Sequence, residues 1–144
     1  MITTEEIAVV AHNMLQESDT VMGLLNGGYV DYERADYTKD AIIVIPHTID
    51  GEGSVRNGQV NVNIHVRDLK QGKPNGNTVY RTDFPRLIAI KKAAIEVLRD
   101  HYESNEGWNW TVGLVNPPMK EVGHDEHFVS IFLEITVRDR TSKQ

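Results

Sequence analysis

The densest run of reactive side chains in the sequence is His124-Asp125-Glu126-His127. Imidazole and carboxylate are natural ligands for zinc and other transition metals. The spacing argues against such a site. On a tight turn adjacent side chains diverge, and the run does not match the His-Glu-x-x-His pattern that sets two imidazoles on one helix face. It reads as a solvated hairpin tip, so no metal ligand, catalytic residue or cofactor is expected there. His65 lies on the polar side of an alternating strand, beside Asn61 and Asn63. It could serve as a general base or proton shuttle, but it has no evident partner and reads as an exposed strand histidine or a subunit contact. His12, on a first helix, and His47, after Pro46, carry less signal. His101 is expected in the last turn of a second helix, where positive charge is favourable.

Other constellations are weaker. There is no Gly-x-Ser-x-Gly elbow and no phosphate loop, and Gly51-Glu52-Gly53 reads as a turn. Trp108 and Trp110 share strand parity; aromatics so spaced could stack bases or a sugar, yet no Lys or Arg accompanies them in the strand, and packing under the second helix or at an interface is preferred. Tyr29, Tyr32 and Tyr37 sit among mixed charges, the composition of protein contacts. They are candidate interface residues, together with His65.

The chain around these residues has 144 residues, a net charge of −6 and no cysteine. That length suits one domain with one core. The missing cysteines exclude a disulfide scaffold, a zinc ribbon and a thiol nucleophile. The acidic balance, with no run of Lys or Arg longer than two residues, argues against sequence-independent binding to nucleic acid or anionic membranes. The acidic start, Glu5-Glu6, gives no expectation of a signal peptide, and no apolar run approaches the length of a membrane span.

The elements that must position the candidates follow from periodicity. Thr3 to Glu6 is a capping box, and Ile7, Val10, Ala11, Met14 and Leu15 then form one helical stripe. Thr20 to Leu25 is a short apolar stretch halted by Asn26-Gly27-Gly28, and 29–40 is expected to be an exposed, structured loop or edge ribbon. Ala41 to Pro46 is an apolar strand. Asn57-Gly58 marks a turn before a strand over Gln59 to Asp68, whose Val60, Val62, Ile64 and Val66 face one way. Leu69 to Thr78 is expected to be the most flexible loop. Asp83 caps a second helix running to about Glu103, with Leu87, Ile88, Ile95, Leu98 and Tyr102 as its buried face. Strands follow at Trp108 to Val115, Met119 to Val122 and Phe128 to Arg138, and 141–144 should be a disordered tail. The expected fold is α+β: an antiparallel sheet of about four to six strands packed against two main helices, in a single domain over 1–144.

This order of elements resembles the tail-completion and head–tail joining (neck) proteins of tailed bacteriophages and prophages. The resemblance rests on the N-terminal helix, the Tyr-rich turn leading into the apolar strand (Tyr29 to Pro46), the Val60-Asn-Val-Asn-Ile-His-Val66 strand, the helix from Phe84, and the final meander ending in the long strand Phe128 to Arg138. It spans nearly the whole chain and involves no catalytic signature. It implies a non-enzymatic virion protein that assembles as a hexameric ring with itself and docks on phage neck and tail proteins. Such a protein is cytoplasmic during assembly and later part of the virion. The ring would form through 19–40, the 67–82 loop and sheet edges, and net negative charge would let DNA pass without sticking. The rival readings are a small α+β enzyme or ligand-binding domain, using His65 and Trp108 or Trp110 in a pocket between helices and sheet, and a bacterial protein–protein adaptor.

Overall fold

Thr3 starts the first helix, α1 (Thr4–Gln16), as a full capping box: its hydroxyl accepts the Glu6 N–H at 3.2 Å, and the Glu6 carboxylate accepts the Thr3 N–H at 3.2 Å. Ser18 caps a second helix, α2 (Asp19–Leu25), which ends where Asn26 and Gly27 adopt positive φ. The computed structural model describes residues 2–49, 54–72, 76 and 78–138. The turn expected at Gly51-Glu52-Gly53 and the tail at 141–144 lie outside them.

Strands β1 (Tyr29–Asp31), β2 (Ala41–Pro46) and β3 (Val55–Arg67) come next, followed by β4 (Leu69–Gly72) and β5 (Thr78–Arg81), which pair with each other in a separate ribbon. Helix α3 (Phe84–Leu98) precedes β6 (His101–Glu103), β7 (Trp108–Val115), β8 (Met119–Lys120) and β9 (Glu126–Arg138). The main sheet has seven strands in the order β1-β2-β3-β9-β7-β6, with β8 also paired to β9. All its pairs are antiparallel except β1 with β2.

The expected fold class is therefore corrected. Among the described residues the molecule is mostly sheet, 43% strand against 27% helix, with seven strands curled into a half-barrel and three helices in place of four to six strands on two. Three local misreadings account for much of the difference. Asn57-Gly58 does not turn but lies within β3. A side chain at Gly58 would come within 2.9 Å of Ile49 Cγ1 and 3.3 Å of Thr4 Cγ2, so this glycine permits close packing. The stretch expected to be a flexible loop, Leu69 to Thr78, opens with β4 and ends where β5 begins, and the two strands pair. Helix α3 stops at Leu98, not near Glu103, because Arg99 takes φ 29° and the Trp110 indole N–H donates to the carbonyls of Leu98 at 3.0 Å and Arg99 at 2.7 Å. Its buried face is Leu87, Ile90, Ala94 and Leu98; Ile88 and Tyr102, expected inside, are 45% and 62% exposed.

The register sorts the sheet into two faces. Val60, Val62 and Ile64 stand opposite Leu133, Ile131 and Val129, and Trp110 and Trp108 stand opposite Ile135 and Val137. These side chains are buried in one cluster with Ile7, Ala11 and Leu15 of α1 and the buried face of α3. Burying each such aliphatic side chain contributes about 1.5–3 kcal/mol, which makes this face the main source of stability. The opposite face carries Asn61, Asn63, His65 and Arg67 opposite Phe132, Ser130, Phe128 and Glu126. Among the described residues no helix is long and apolar enough to cross a membrane.

Candidate functional site

At the His65 end of that second face, four stretches converge: the end of β3, the start of β9, the 29–40 segment and the connection from β8 to β9. Gly28 lets the 29–40 segment close on itself, since a Cβ there would lie 2.1 Å from the Asp40 carbonyl oxygen. The Tyr29 hydroxyl then organises the segment. It donates to the Asp36 carbonyl at 3.1 Å and accepts from the N–H groups of Ala35 at 3.2 Å and Asp36 at 2.9 Å. Asp36 Oδ1 accepts both the N–H and the hydroxyl of Thr38, an Asx-type turn that holds the Asp36 carboxyl below its usual range.

The segment delivers Arg34 to the sheet. Its guanidinium donates through Nη2 to Glu126 Oε1 at 2.5 Å and the Lys39 carbonyl at 2.7 Å. Nη1 reaches the Tyr29 hydroxyl and the Asp36 carbonyl, each at 2.8 Å, and Nε reaches Glu126 Oε2 at 3.3 Å. All five donors of the guanidinium are thus engaged. Arg34 also lies 4.8 Å over the Tyr37 ring, which stacks on His124.

Glu126 is 1% exposed and His65 is 5% exposed, so the expectation of an exposed strand histidine without a partner is corrected. His65 Nδ1 lies 2.9 Å from Glu126 Oε2 and 3.6 Å from Glu121 Oε2, and its ring stacks on Phe128. Burial pushes the Glu126 carboxyl up, but hydrogen bonds from His65 and Arg34 outweigh it and hold the group below the ordinary glutamate range. Burial likewise opposes the charge on Arg34, and its bonds to Glu126 and Tyr29 more than compensate.

Two ionic clusters flank this one. Asp40 accepts the Arg67 N–H at 2.9 Å and pairs with Arg86 of α3. Asp68 pairs with His127 at 2.7 Å and Lys120 at 3.3 Å. The reading of 124–127 as a solvated tip thus holds for His124 and Asp125, which are exposed, and is corrected for Glu126 and His127.

The remaining candidates scatter. Tyr29 and Tyr37 belong to the Arg34 network, whereas Tyr32 is 38% exposed and stacks on His12. His47 is exposed. His101 lies in β6, not in a helix turn, and contacts Glu103 at 2.8 Å and both tryptophans. Trp108 and Trp110 are buried on the helix-covered face, so His65 and the tryptophans stand on opposite sides of the sheet. Sequence reasoning missed Arg34, Asp40, Asp68, Glu121 and the burial of Glu126.

No protein-family model matches the chain, and no curated protein matches it either. Chemically, the cluster built by Arg34, His65, Glu121 and Glu126 is suited to holding charge in a fixed geometry. It joins the 29–40 segment to the sheet at a buried point where a carboxylate, an imidazole and a guanidinium satisfy one another.

Proposed function

We propose that this chain is a non-enzymatic structural subunit of a tailed phage or prophage virion, assembling as a ring that completes the head-proximal end of the tail and joins it to the head. The observation that carries this reading is the β4–β5 ribbon. It stands apart from the main sheet and exposes Leu69 (45%) and Tyr80 (44%). A two-stranded hairpin is marginal in water by itself, and burial against a neighbouring copy supplies the apolar contact that it lacks. A contact from a ribbon on one copy to a different surface on the next is heterologous, and repeated around an axis it closes a ring. The short strands β1 and β6, which end the sheet, offer further edges for such contacts. The order of elements along the chain supports the same reading through its resemblance to tail-completion and neck proteins.

The test is the mass of the purified chain as a function of concentration, alone and with purified tail tubes. A ring of about six copies, lost in a folded Leu69→Asp/Tyr80→Asp variant, is the expected outcome. A chain that stays monomeric and ignores tail-tube ends overturns the reading. Neighbouring genes for portal, capsid and tail-tube proteins are expected, and a metabolic operon would count decisively against it.

A further inference from the structure

We propose that His65, Glu121 and Glu126 form a binding site for one divalent first-row metal ion, zinc or manganese, that ties β3, β9 and the connection preceding β9 together. The site is independent of the ring reading, because all three ligands belong to one subunit.

Nitrogen and oxygen ligands lie about 2.0–2.2 Å from such an ion, which puts neighbouring donor atoms about 3.0–3.6 Å apart. His65 Nδ1 is 2.9 Å from Glu126 Oε2 and 3.6 Å from Glu121 Oε2. One donor atom from each residue falls within 4.8 Å of the others. Glu121 lies on the rim, with its side chain 25% exposed, so a small rotation of that carboxylate closes the third separation.

Phe128 stacks on the His65 ring with centroids 5.0 Å apart, and Arg34 grips the Glu126 carboxylate through both oxygens. Two of the three ligands are therefore fixed before an ion arrives, in the way outer partners orient ligating groups at established metal sites. A carboxylate has about four lone-pair positions, two on each oxygen; Oε2 keeps one for the Arg34 Nε–H, and an ion takes the place of the proton between Oε2 and His65 Nδ1, using the other position and the nitrogen lone pair. Arg34 is a positioning residue in this arrangement.

Two carboxylates face one guanidinium here, an excess of one carboxylate beside the His65 imidazole. A cation at the His65 nitrogen satisfies that excess. The donor set of one imidazole and two carboxylates suits zinc and manganese, and water can complete the coordination from the exposed Glu121 side.

The whole chain, stripped with a chelator, is titrated by calorimetry with zinc chloride and with manganese chloride, and its Tm is read with and without each ion. One ion per chain and a raised Tm are expected. Glu121→Gln, which removes a rim carboxylate and no buried pair, should keep the metal-free Tm and bind at least about tenfold more weakly. The His124→Ala/His127→Ala pair should bind like the parent. The proposal is overturned if neither ion binds, if Glu121→Gln binds as tightly as the parent, or if only the His124→Ala/His127→Ala pair loses binding, which would assign the affinity to surface imidazoles.

Discussion

On the helix-covered side of β3 and β9, Val62 meets Ile131 and Ile64 meets Val129, whereas on the other side of the same two strands His65 meets Phe128 and Arg67 meets Glu126. The first face is held by non-directional burial, which tolerates repacking so long as volume is kept. The second is held by a buried ionic network in which every group needs its partner, because an orphaned charge keeps its desolvation cost without its compensation. One face therefore supplies stability in bulk, and the other fixes a particular arrangement of the 29–40 segment.

Mutations should separate the two faces. The largest effect is expected from Trp110→Ala, which empties a fully buried site and frees the carbonyls that end α3. It should cost about 3–5 kcal/mol in denaturant unfolding, and a loss under about 1 kcal/mol would show that this face does not dominate. Arg34→Ala, leaving Glu126 buried without its cation, should cost about 3 kcal/mol. The comparison sharpens if Arg34→Met, His65→Leu and Glu126→Leu are combined. The triple variant should recover much of that loss while the 29–40 segment exchanges its amide hydrogens faster.

Acid should act on the polar face. The Glu126 carboxyl titrates below the ordinary glutamate range, so its contribution is present above that range and disappears as pH falls through it toward the folded value. Arg34, His65 and Glu121 are the charged or titratable groups facing it. In chelator, unfolding followed from neutral to acid pH should lose stability more steeply for the parent than for Arg34→Ala. The smallest effect belongs to Thr3→Ala, which removes the α1 cap and should cost about 1 kcal/mol, measured as a shift in the denaturation midpoint without a change in slope.

The same contrast explains what could be read from the sequence. The apolar face announces itself locally: Val60 to Val66 alternate, Ile7 to Leu15 repeat at helical spacing, and Trp108 and Trp110 share parity. Capping is equally local, and Thr3 with Glu6 behaves as the box they spell. The polar network is not local. His65 meets Glu126 across 61 positions, and Arg34 meets Glu126 across 92, so neither partner is visible beside the other. Tertiary context also overrode propensity at Asn57-Gly58, where a turn-forming pair runs through an extended strand, and after Leu98, where the Trp110 indole takes the carbonyls and the following residues join the sheet as β6.

Strand β9 occupies the middle of the sheet, yet it comes last in chain order among the described elements. In the ladder β1, β2 and β3 make one half and β6 and β7 the other, and among the described strands β9 alone joins them, so each half lacks that neighbour until β9 is synthesised. Both halves then wait with a long unpaired edge. Closure over such a separation is entropically slow, so the nascent chain should depend on chaperone protection until β9 is made.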